Sequence, residues 1–245
     1  MRSRRTAACC RYLYLLSNHT ESENIMNTEF ITKTEAFLES SFAESEYLIN
    51  NPREGAYRLE HSYRVANIAK AIAEAEGYDV TKAVIAALLH DIAYCEEMPD
   101  REAKLNHGRR SAAIARPFLA SLGMRDEDIN NICYAIAIHV DDIADFEWQR
   151  TAFSEIVGDA DNIDRFDAYR IYETLEFIGF SKMSLEEKRE EVNRVLERLP
   201  KLKEMKLGSA MAIKIWLERL DYYRGFYEKL RTQLELSDGV ICNGN

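Results

Sequence analysis

The chain has 245 residues, 47% of them hydrophobic and 30% charged, which is enough for a buried core in one large domain or one and a half. Its net charge of -10 excludes a general affinity for nucleic acid, because there is no excess of Lys and Arg to displace counterions from phosphates. No segment approaches the roughly 20 apolar residues of a membrane span, so no membrane partner is expected either.

The first segment, residues 1–28, is predicted to be a disordered N-terminal extension. It contains four arginines and the apolar run YLYLL, which directly follows Arg11. That run is shorter than the stretch of about 7–15 apolar residues in a signal peptide, so a targeting peptide is the less favoured interpretation. Met26 is an alternative start of the protein.

From Thr28 onward the sequence predicts an all-α protein. Asp79 precedes the run VTKAVIAALLHD, and Asp126 precedes an apolar run over residues 129–140. Ser184 and Glu187 form the S-x-x-E pattern of a capping box, which satisfies two free amide groups at the start of a helix. No turn dipeptide typical of a β-hairpin separates alternating apolar runs.

The C-terminal helices are predicted at residues 181–238, after a core domain at 29–180. The last of them is amphipathic, and such a helix docks either on the body of the protein or on a second subunit. The second alternative predicts a homodimer formed through these helices. The predicted stripe consists of Ile213, Leu217, Leu220, Tyr223, Tyr227, Leu230 and Leu234.

Five cysteines, odd in number and without CxxC spacing, are scattered along the chain. This pattern is typical of reduced thiols rather than of a disulfide framework or a zinc ribbon, and it predicts a cytoplasmic protein. They are Cys9, Cys10, Cys95, Cys133 and Cys242.

Four of the five histidines lie on the apolar faces of different predicted helices. His61 and His107 each begin a stripe that continues 4, 7 and 11 residues later, while His90 and His139 each end an apolar run. One such histidine is more often a hydrogen-bonded core residue than a ligand. Four of them on four helices indicate a metal site, because neutral imidazole is the commonest transition-metal ligand.

Carboxylates accompany these histidines. Asp91 follows His90 directly, and the acidic run GDADNIDRFD begins at Gly158. Asp161 shares a predicted helix face with residues 157, 164 and 168, and Asp159 is its rival as a ligand. Burying these groups without a partner costs several kcal/mol, and a metal cation would remove that cost.

His61, the pair His90-Asp91 and Asp161 together resemble the H…HD…D signature of the HD superfamily of metal-dependent phosphohydrolases. The strings HSYRVANIA, ALLHDIA, NHGRRSAAIA and IVGDADNIDRFDA also resemble that family, in the same order. The resemblance extends from about Leu59 to Ala168. It implies a compact HD-domain helical bundle in which the ligands converge from several helices.

The resemblance implies that His61, His90, Asp91 and Asp161 bind a first divalent ion. In members with two ions, the positions of His107 and His139 hold the second, and the aspartate of the HD pair bridges both. The family's usual AD-x-[LI] context favours Asp161 over Asp159. Manganese, iron, magnesium and cobalt all suit mixed nitrogen and oxygen ligands, so one or two such ions are the expected cofactor.

The same resemblance implies hydrolysis of a small phosphorylated metabolite, for which a nucleotide is the expected class, by metal-activated water. His90 and Asp91 would act through the metal. Arg64 shares a helix face with His61 and is the first candidate for holding the phosphate. For three further candidates a solvated surface role is favoured. These are Lys104, Arg109 and Arg165.

Tyr94 stands where the HDIGK motif of cyclic-dinucleotide phosphodiesterases has its lysine, and no GYP element occurs. The inositol-oxygenase branch also relies on that lysine, so both activities are disfavoured. Two alternatives to a phosphohydrolase stay open. An HD-type di-iron oxygenase would show iron and oxygen-dependent turnover, and a non-catalytic HD module would bind ligand without turnover.

Overall fold

The structure is a computed structural model that describes residues 26–239. Its regular structure over that range is helical without any strand, which confirms the all-α class. No helix within this range is both long and apolar enough to cross a membrane. The α-helices are α1 (26–43), α2 (Glu46–Asn50), α3 (Pro52–Glu76), α4 (Val80–Leu89), α5 (Arg101–Ser121), α6 (Asp126–Ile138), α7 (Ile156–Asp164), α8 (Ala168–Phe177), α9 (Leu185–Leu202) and α10 (Ala210–Glu235). Short 3-10 helices lie at Ile92–Cys95, Ala152–Glu155, Phe180–Lys182 and Leu236–Asp238.

Helix α1 begins earlier than predicted. Residues 26–28, which the prediction places in the extension, are already helical, whereas residues 1–25 lie outside the described residues. Leu38 and Phe42 bury the later turns of α1 in the core. Once those turns are docked, each further residue adds a backbone hydrogen bond at little cost, so the helix continues toward its N-terminus.

Side-chain caps explain where several helices begin. The Asp79 carboxylate accepts from the backbone N–H of Lys82 at 3.0 Å at the start of α4. Ser184 and Glu187 form the predicted capping box of α9. Asp126 lies inside α6 rather than before it, since Arg125 is the capping residue. There its carboxylate still stabilises the helix through the partial positive charge of the first turn.

Helix α4 forms the centre of the bundle. The apolar run from Ala83 to Leu89 is buried, because α3, α5, α6 and α7 all pack against this helix. A helix that is apolar on every side is stable only in such a position. The two residues that follow α4 therefore lie in the interior of the protein. They are His90 and Asp91.

Helices α9 and α10 pack on each other, and α10 also packs on α3 and α7. The predicted stripe of α10 is wrong at Ile213 and Leu217, whose exposed fractions are 42% and 37%. Docking occurs instead through Trp216, whose ring meets the Phe166 ring edge-on with centroids 4.9 Å apart. One core cluster contains residues from 38 to 234, on both sides of residue 180. The domain division at 180 and the homodimer both stay predictions.

Candidate metal centre

The six side chains predicted as metal ligands come from five helices and meet at one place. His61 and His107 lie within α3 and α5, and Asp161 lies within α7. His90 and His139 directly follow α4 and α6. The C-terminal carbonyls of those two helices carry partial negative charge, which stabilises a cation there.

Each of the four imidazoles has an acceptor at Nδ1. Three of these acceptors are backbone carbonyls, which cannot donate, so those rings carry a hydrogen on Nδ1. Each ring is thereby held with Nε2 free for a metal, as in metal sites whose histidines are oriented by a second hydrogen bond. The Nδ1 contacts are His61 to Asp164 at 2.8 Å, and His90 to Ala87, His107 to Lys104 and His139 to Ile136, each at 2.6 Å.

The Nε2 atoms form two close pairs. His61 Nε2 lies 3.3 Å from His90 Nε2, and His107 Nε2 lies 3.0 Å from His139 Nε2. Two nitrogen lone pairs repel at such distances unless a cation lies between them or beside them. This set of donors therefore fits a divalent metal, and it explains the buried histidines without treating them as ordinary core residues.

Asp91 lies between the two histidine pairs. Its Oδ1 is 3.0 Å from His107 Nε2 and 3.8 Å from His139 Nε2. The same oxygen is 3.7 Å from His90 Nε2, and Oδ2 is 3.7 Å from His61 Nε2. A carboxylate that reaches both pairs is placed to bridge two ions.

Asp161, rather than its rival Asp159, faces the histidines. Asp161 Oδ1 lies 3.2 Å from His61 Nε2. Asp159 accepts instead from the backbone N–H of Gly208 at 2.9 Å, and burial raises its pKa to about 6. Asp161, His61 and His90 place one ligand atom each within 4.8 Å of the other two, and so do Asp91, His90 and His139.

The carboxylates at this centre stay ionised. Burial by itself raises the pKa of Asp91 and of Asp161, but nearby imidazoles outweigh it and hold both pKa values below the usual range. Burial lowers the pKa of His90, and it lowers the pKa of His139 to about 4. These four groups therefore already have the protonation states that metal ligation requires.

His61 shows that the centre attracts positive charge. Burial lowers its pKa, but hydrogen bonds to Asp161 and Asp164 outweigh that effect and raise the pKa to about 9. The pKa of His107 is raised in the same way by its hydrogen bond to Asp91, against the effect of burial. Without a metal, protons supply the positive charge that these carboxylates stabilise.

Arg64, the first candidate for holding phosphate, donates its hydrogen bonds within the described residues to Asp164 rather than to one of the six predicted ligands, and its phosphate role stays a prediction. Its Nε donates to Asp164 Oδ1 at 3.0 Å, and its guanidinium lies 4.4 Å from the centroid of the Tyr169 ring. Asp164 is the acceptor that orients His61, so Arg64 acts on the centre through that carboxylate. Helical spacing placed Arg64 on the same face as His61 but did not identify its partner, because the Asp164 carboxylate comes from α7.

The sequence interpretation overlooked Arg58, which does contact a ligand. Its Nη1 donates to Asp91 Oδ2 at 2.9 Å, and its guanidinium lies 3.3 Å from the centroid of the Tyr94 ring. Arg58 precedes His61 by three residues, so helical spacing could have identified it. Asp164 was overlooked as a partner of His61, although it follows Asp161 by the same spacing.

The three further cationic candidates differ in position. Arg165 Nη2 donates to Asp161 Oδ2 at 2.8 Å, while its side chain is 55% exposed. Arg109 pairs with Asp141 at 2.8 Å, which favours a structural role. Lys104 is exposed one turn before His107. Of these residues, Arg165 combines contact with a ligand and access to solvent.

Gly108 permits the close approach of α5 and α6 that unites His107 and His139. A Cβ atom at this position would lie 2.7 Å from the carbonyl oxygen of Ala137 and 3.1 Å from His139 Nδ1. Both distances are shorter than ordinary contacts, so any larger residue would separate the helices. Gly108 thus allows the two histidines to lie as close together as they do in the centre.

Comparison with known proteins finds one matching family model. Residues 58–169 match the family model described as the HD domain, and this range includes all six predicted ligands. No curated protein matches the chain significantly.

Several solved structures share the fold. An HD-superfamily hydrolase from Bacillus thuringiensis is 22% identical with a TM-score of 0.62, covering 85% of this chain and 98% of its own. A predicted HD superfamily hydrolase from an uncultured Thermotogales bacterium is 20% identical with a TM-score of 0.59, covering 82% and 91%. Bacillus subtilis YpgQ, solved in complex with ADP, is 18% identical with a TM-score of 0.58, covering 85% and 96%. Residues 58–169 therefore match the HD domain model, and the chain shares the all-α fold of these solved structures.

Proposed function

We propose that this protein is a metal-dependent phosphohydrolase that acts on a small phosphorylated metabolite, a nucleotide, through a metal-activated water. The observation that carries this proposal is the meeting of four imidazole Nε2 atoms around the Asp91 carboxylate. The ligand set of nitrogen and oxygen atoms suits manganese, iron or cobalt, and magnesium less well because of its preference for oxygen.

Different residues of the chain would have different roles in such a centre. When bound, one or two divalent ions lower the pKa of water and draw electron density from phosphoryl oxygens. Asp91 supplies a fixed negative charge between the two histidine pairs, and Arg58 holds its second oxygen in place. Asp164 fixes the ring orientation of His61, so the ligand geometry exists before substrate arrives.

Arg165 is the residue of choice for contacting the substrate phosphate. Its guanidinium lies at the Asp161 carboxylate, and the side chain as a whole is more than half exposed. An exposed side chain can turn from that carboxylate to a phosphate oxygen without unfolding any part of the core. Arginine suits this role because its planar group donates two parallel hydrogen bonds to phosphate.

A nucleotide substrate has support from outside the chain. Bacillus subtilis YpgQ, which shares the fold, was solved in complex with ADP. A phosphate group bound near Arg165 and Arg58 would neutralise charge that the protein keeps beside its buried carboxylates. We therefore expect nucleotides to be better substrates than sugar phosphates.

Metal analysis and a phosphate-release screen test this proposal together. Purified protein should contain manganese, iron or cobalt, and should release phosphate or pyrophosphate from nucleotides after loading with one of these ions. His90→Ala should lose both metal and turnover, whereas Tyr222→Ala, on the exposed side of α10, should keep both. Full metal content in His90→Ala would contradict the site, and oxygen consumption without phosphate release would contradict the reaction.

A further inference from the structure

A cavity of about 570 Å³ lies between the first turns of α3 and the helix α8. Its size falls within the 300–1,000 Å³ of ordinary small-molecule sites. None of the six predicted metal ligands lines it. The lining residues are Arg53, Glu54, Tyr57, Arg170, Glu173, Thr174 and Phe177.

Tyr57 connects this cavity to the candidate metal centre. Its ring lies parallel to the His61 ring, with an interplanar angle of 4° and centroids 5.9 Å apart. His61 is a predicted ligand, so the cavity begins one ring away from it. Tyr57 thus lies both in the wall of the cavity and beside a predicted ligand.

Phe177 is a large apolar residue that does not pack in the core. Its side chain is 91% exposed at the end of α8, the largest exposure among the large hydrophobic residues of the described chain. It lines the cavity together with the Tyr57 ring. Two aromatic side chains at one cavity favour a flat, unsaturated ligand, because π-faces stack on one another.

Arg170 adds a polar group to the same cavity. Its guanidinium lies 5.2 Å from the centroid of the Tyr57 ring, and its Nη1 contacts the Tyr57 hydroxyl. The Nε of Arg170 is buried and has no hydrogen-bond partner among the described residues. That nitrogen is enclosed by protein, but Arg170 lines the cavity and carries further N–H groups that can donate to a ligand. The ring nitrogens and carbonyl oxygens of a nucleobase are acceptors for such groups.

We propose that this cavity binds the base of a nucleoside phosphate, with the ring against Phe177 and Tyr57 and an acceptor edge near Arg170. The inference rests on the proposed function, because the phosphate is taken to lie at the metal ligands. It assigns selection of the organic part of the substrate to α3 and α8 rather than to the ligand-bearing helix ends.

Equilibrium binding separates the base from the phosphate. The probes are AMP and ribose 5-phosphate, which differ only by the base, each used as a phosphonate with a methylene group in place of the ester oxygen. This replacement keeps both probes intact during calorimetry with the manganese-loaded protein. The variants are Phe177→Ala and, as a matched control, Tyr172→Ala, which removes another exposed aromatic group from α8 outside the cavity.

Wild-type protein should bind the AMP analogue at least about tenfold more tightly than the ribose analogue, in keeping with stacking of a base on aromatic side chains. Phe177→Ala should weaken AMP binding about tenfold and change ribose 5-phosphate binding less than twofold. Tyr172→Ala should change neither. Equal affinity of the two probes in the wild type, or no specific loss in Phe177→Ala, would overturn the assignment.

The two proposals fail in different ways. If no phosphate ester is hydrolysed but Phe177→Ala still weakens AMP binding alone, the hydrolase proposal is wrong and the base site stands. If nucleotides are hydrolysed and Phe177→Ala binds AMP as the wild type does, the base site is wrong and the hydrolase proposal stands.

Discussion

Asp164 shows how a residue that binds no metal can decide whether its neighbour does. Its Oδ2 accepts from His61 Nδ1 at 2.8 Å, and its Oδ1 accepts from Arg64 Nε at 3.0 Å. The hydrogen bond from Arg64 fixes the Asp164 carboxylate, and this carboxylate fixes the His61 ring so that its Nε2 faces the centre. Burial raises the pKa of Asp164, but hydrogen bonds from His61 and Arg64 outweigh it and leave the pKa lowered, so the acceptor stays charged.

Asp164→Asn should therefore weaken metal binding about 10- to 100-fold, the usual cost of losing a group that orients a ligand. The amide keeps the size of the side chain but removes the charge that stabilises the His61 ring. Manganese titration followed by calorimetry measures the change. Asp159→Asn is the matched control, because that carboxylate bonds to Gly208 and contacts no histidine. Equal losses in both variants would contradict the positioning role.

Arg64→Ala and Arg165→Ala should affect different kinetic constants. Loss of Arg64 should act through Asp164 and weaken metal binding, with little change in KM once the protein is saturated with metal. Loss of Arg165 should raise KM about tenfold or more at unchanged metal content, because its side chain is 55% exposed and can turn from Asp161 to a substrate phosphate. Steady-state kinetics on an active nucleotide, alongside metal analysis, distinguish the two. The reverse pattern would favour Arg64 over Arg165 as the phosphate ligand.

At the scale of helices, the centre depends on how closely α5 approaches α6. His107 lies within α5 and His139 directly follows α6, and their Nε2 atoms are only 3.0 Å apart. Gly108 provides the space for this contact, since α5 without a Cβ there can lie against the carbonyl oxygens of Ile136 and Ala137.

Gly108→Ala should destabilise the protein by about 1–3 kcal/mol, as overpacking of a close contact does. It should also lower metal stoichiometry, because the second histidine pair is pushed apart while His61 and His90 are untouched. Gly225→Ala in α10 is the matched control, since a Cβ there meets nothing within 4 Å. That change should be neutral or stabilise the helix by up to about 1 kcal/mol. Thermal unfolding and metal analysis of both variants provide the measurement.

Removal of one member of the second pair tests the number of ions. His107→Ala should reduce bound metal from two ions per chain to one, because His61, His90 and Asp161 keep a complete group of ligand atoms. Metal content measured on the purified variant answers the question directly. A wild type that already holds one ion per chain, unchanged in His107→Ala, would show that His107 serves the substrate instead.

At the scale of the whole molecule, the candidate metal centre would connect most of the bundle. The ligands come from α3, α5, α7 and the ends of α4 and α6. Helix α10 packs on α7, and its Trp216 contacts Phe166 in the turn after α7. Arg219 of α10 also donates to the carbonyl oxygen of Ile163, two residues after Asp161. Metal binding should therefore stabilise the fold as a unit.

Manganese at about 1,000 times its dissociation constant should raise the free energy of unfolding by about 4 kcal/mol, because the unfolded chain does not hold the ligands together. Differential scanning calorimetry with and without a chelator measures the shift. His90→Ala should show no such shift, and Tyr222→Ala should show the wild-type shift. If the melting temperature of the wild type were the same with and without metal, that result would argue against a metal site built from these helices.

The sequence by itself determined the helical class and marked four inward-facing histidines and Asp91, whereas the choice of Asp161 over Asp159 rested on the family resemblance. Apolar spacing of three and four residues is a local property, and it identifies His61 and His107 as inward-facing whatever packs against them. The ends of apolar runs mark His90 and His139 for the same reason. Residues adjacent in the chain, such as His90 and Asp91, need no tertiary information to be placed together.

Only the tertiary structure decided which neighbours these residues meet. Arg58 and Arg64 are equally spaced about His61, yet Arg58 reaches Asp91 and Arg64 reaches Asp164, because different helices face the two turns. Ile213 and Leu217 continue an apolar stripe on α10 but stay exposed, since the helix docks through Trp216. A periodic apolar pattern indicates that one face of a helix can be buried. Contacts between helices distant in sequence select the face and its partner, and those contacts have no signal in local spacing.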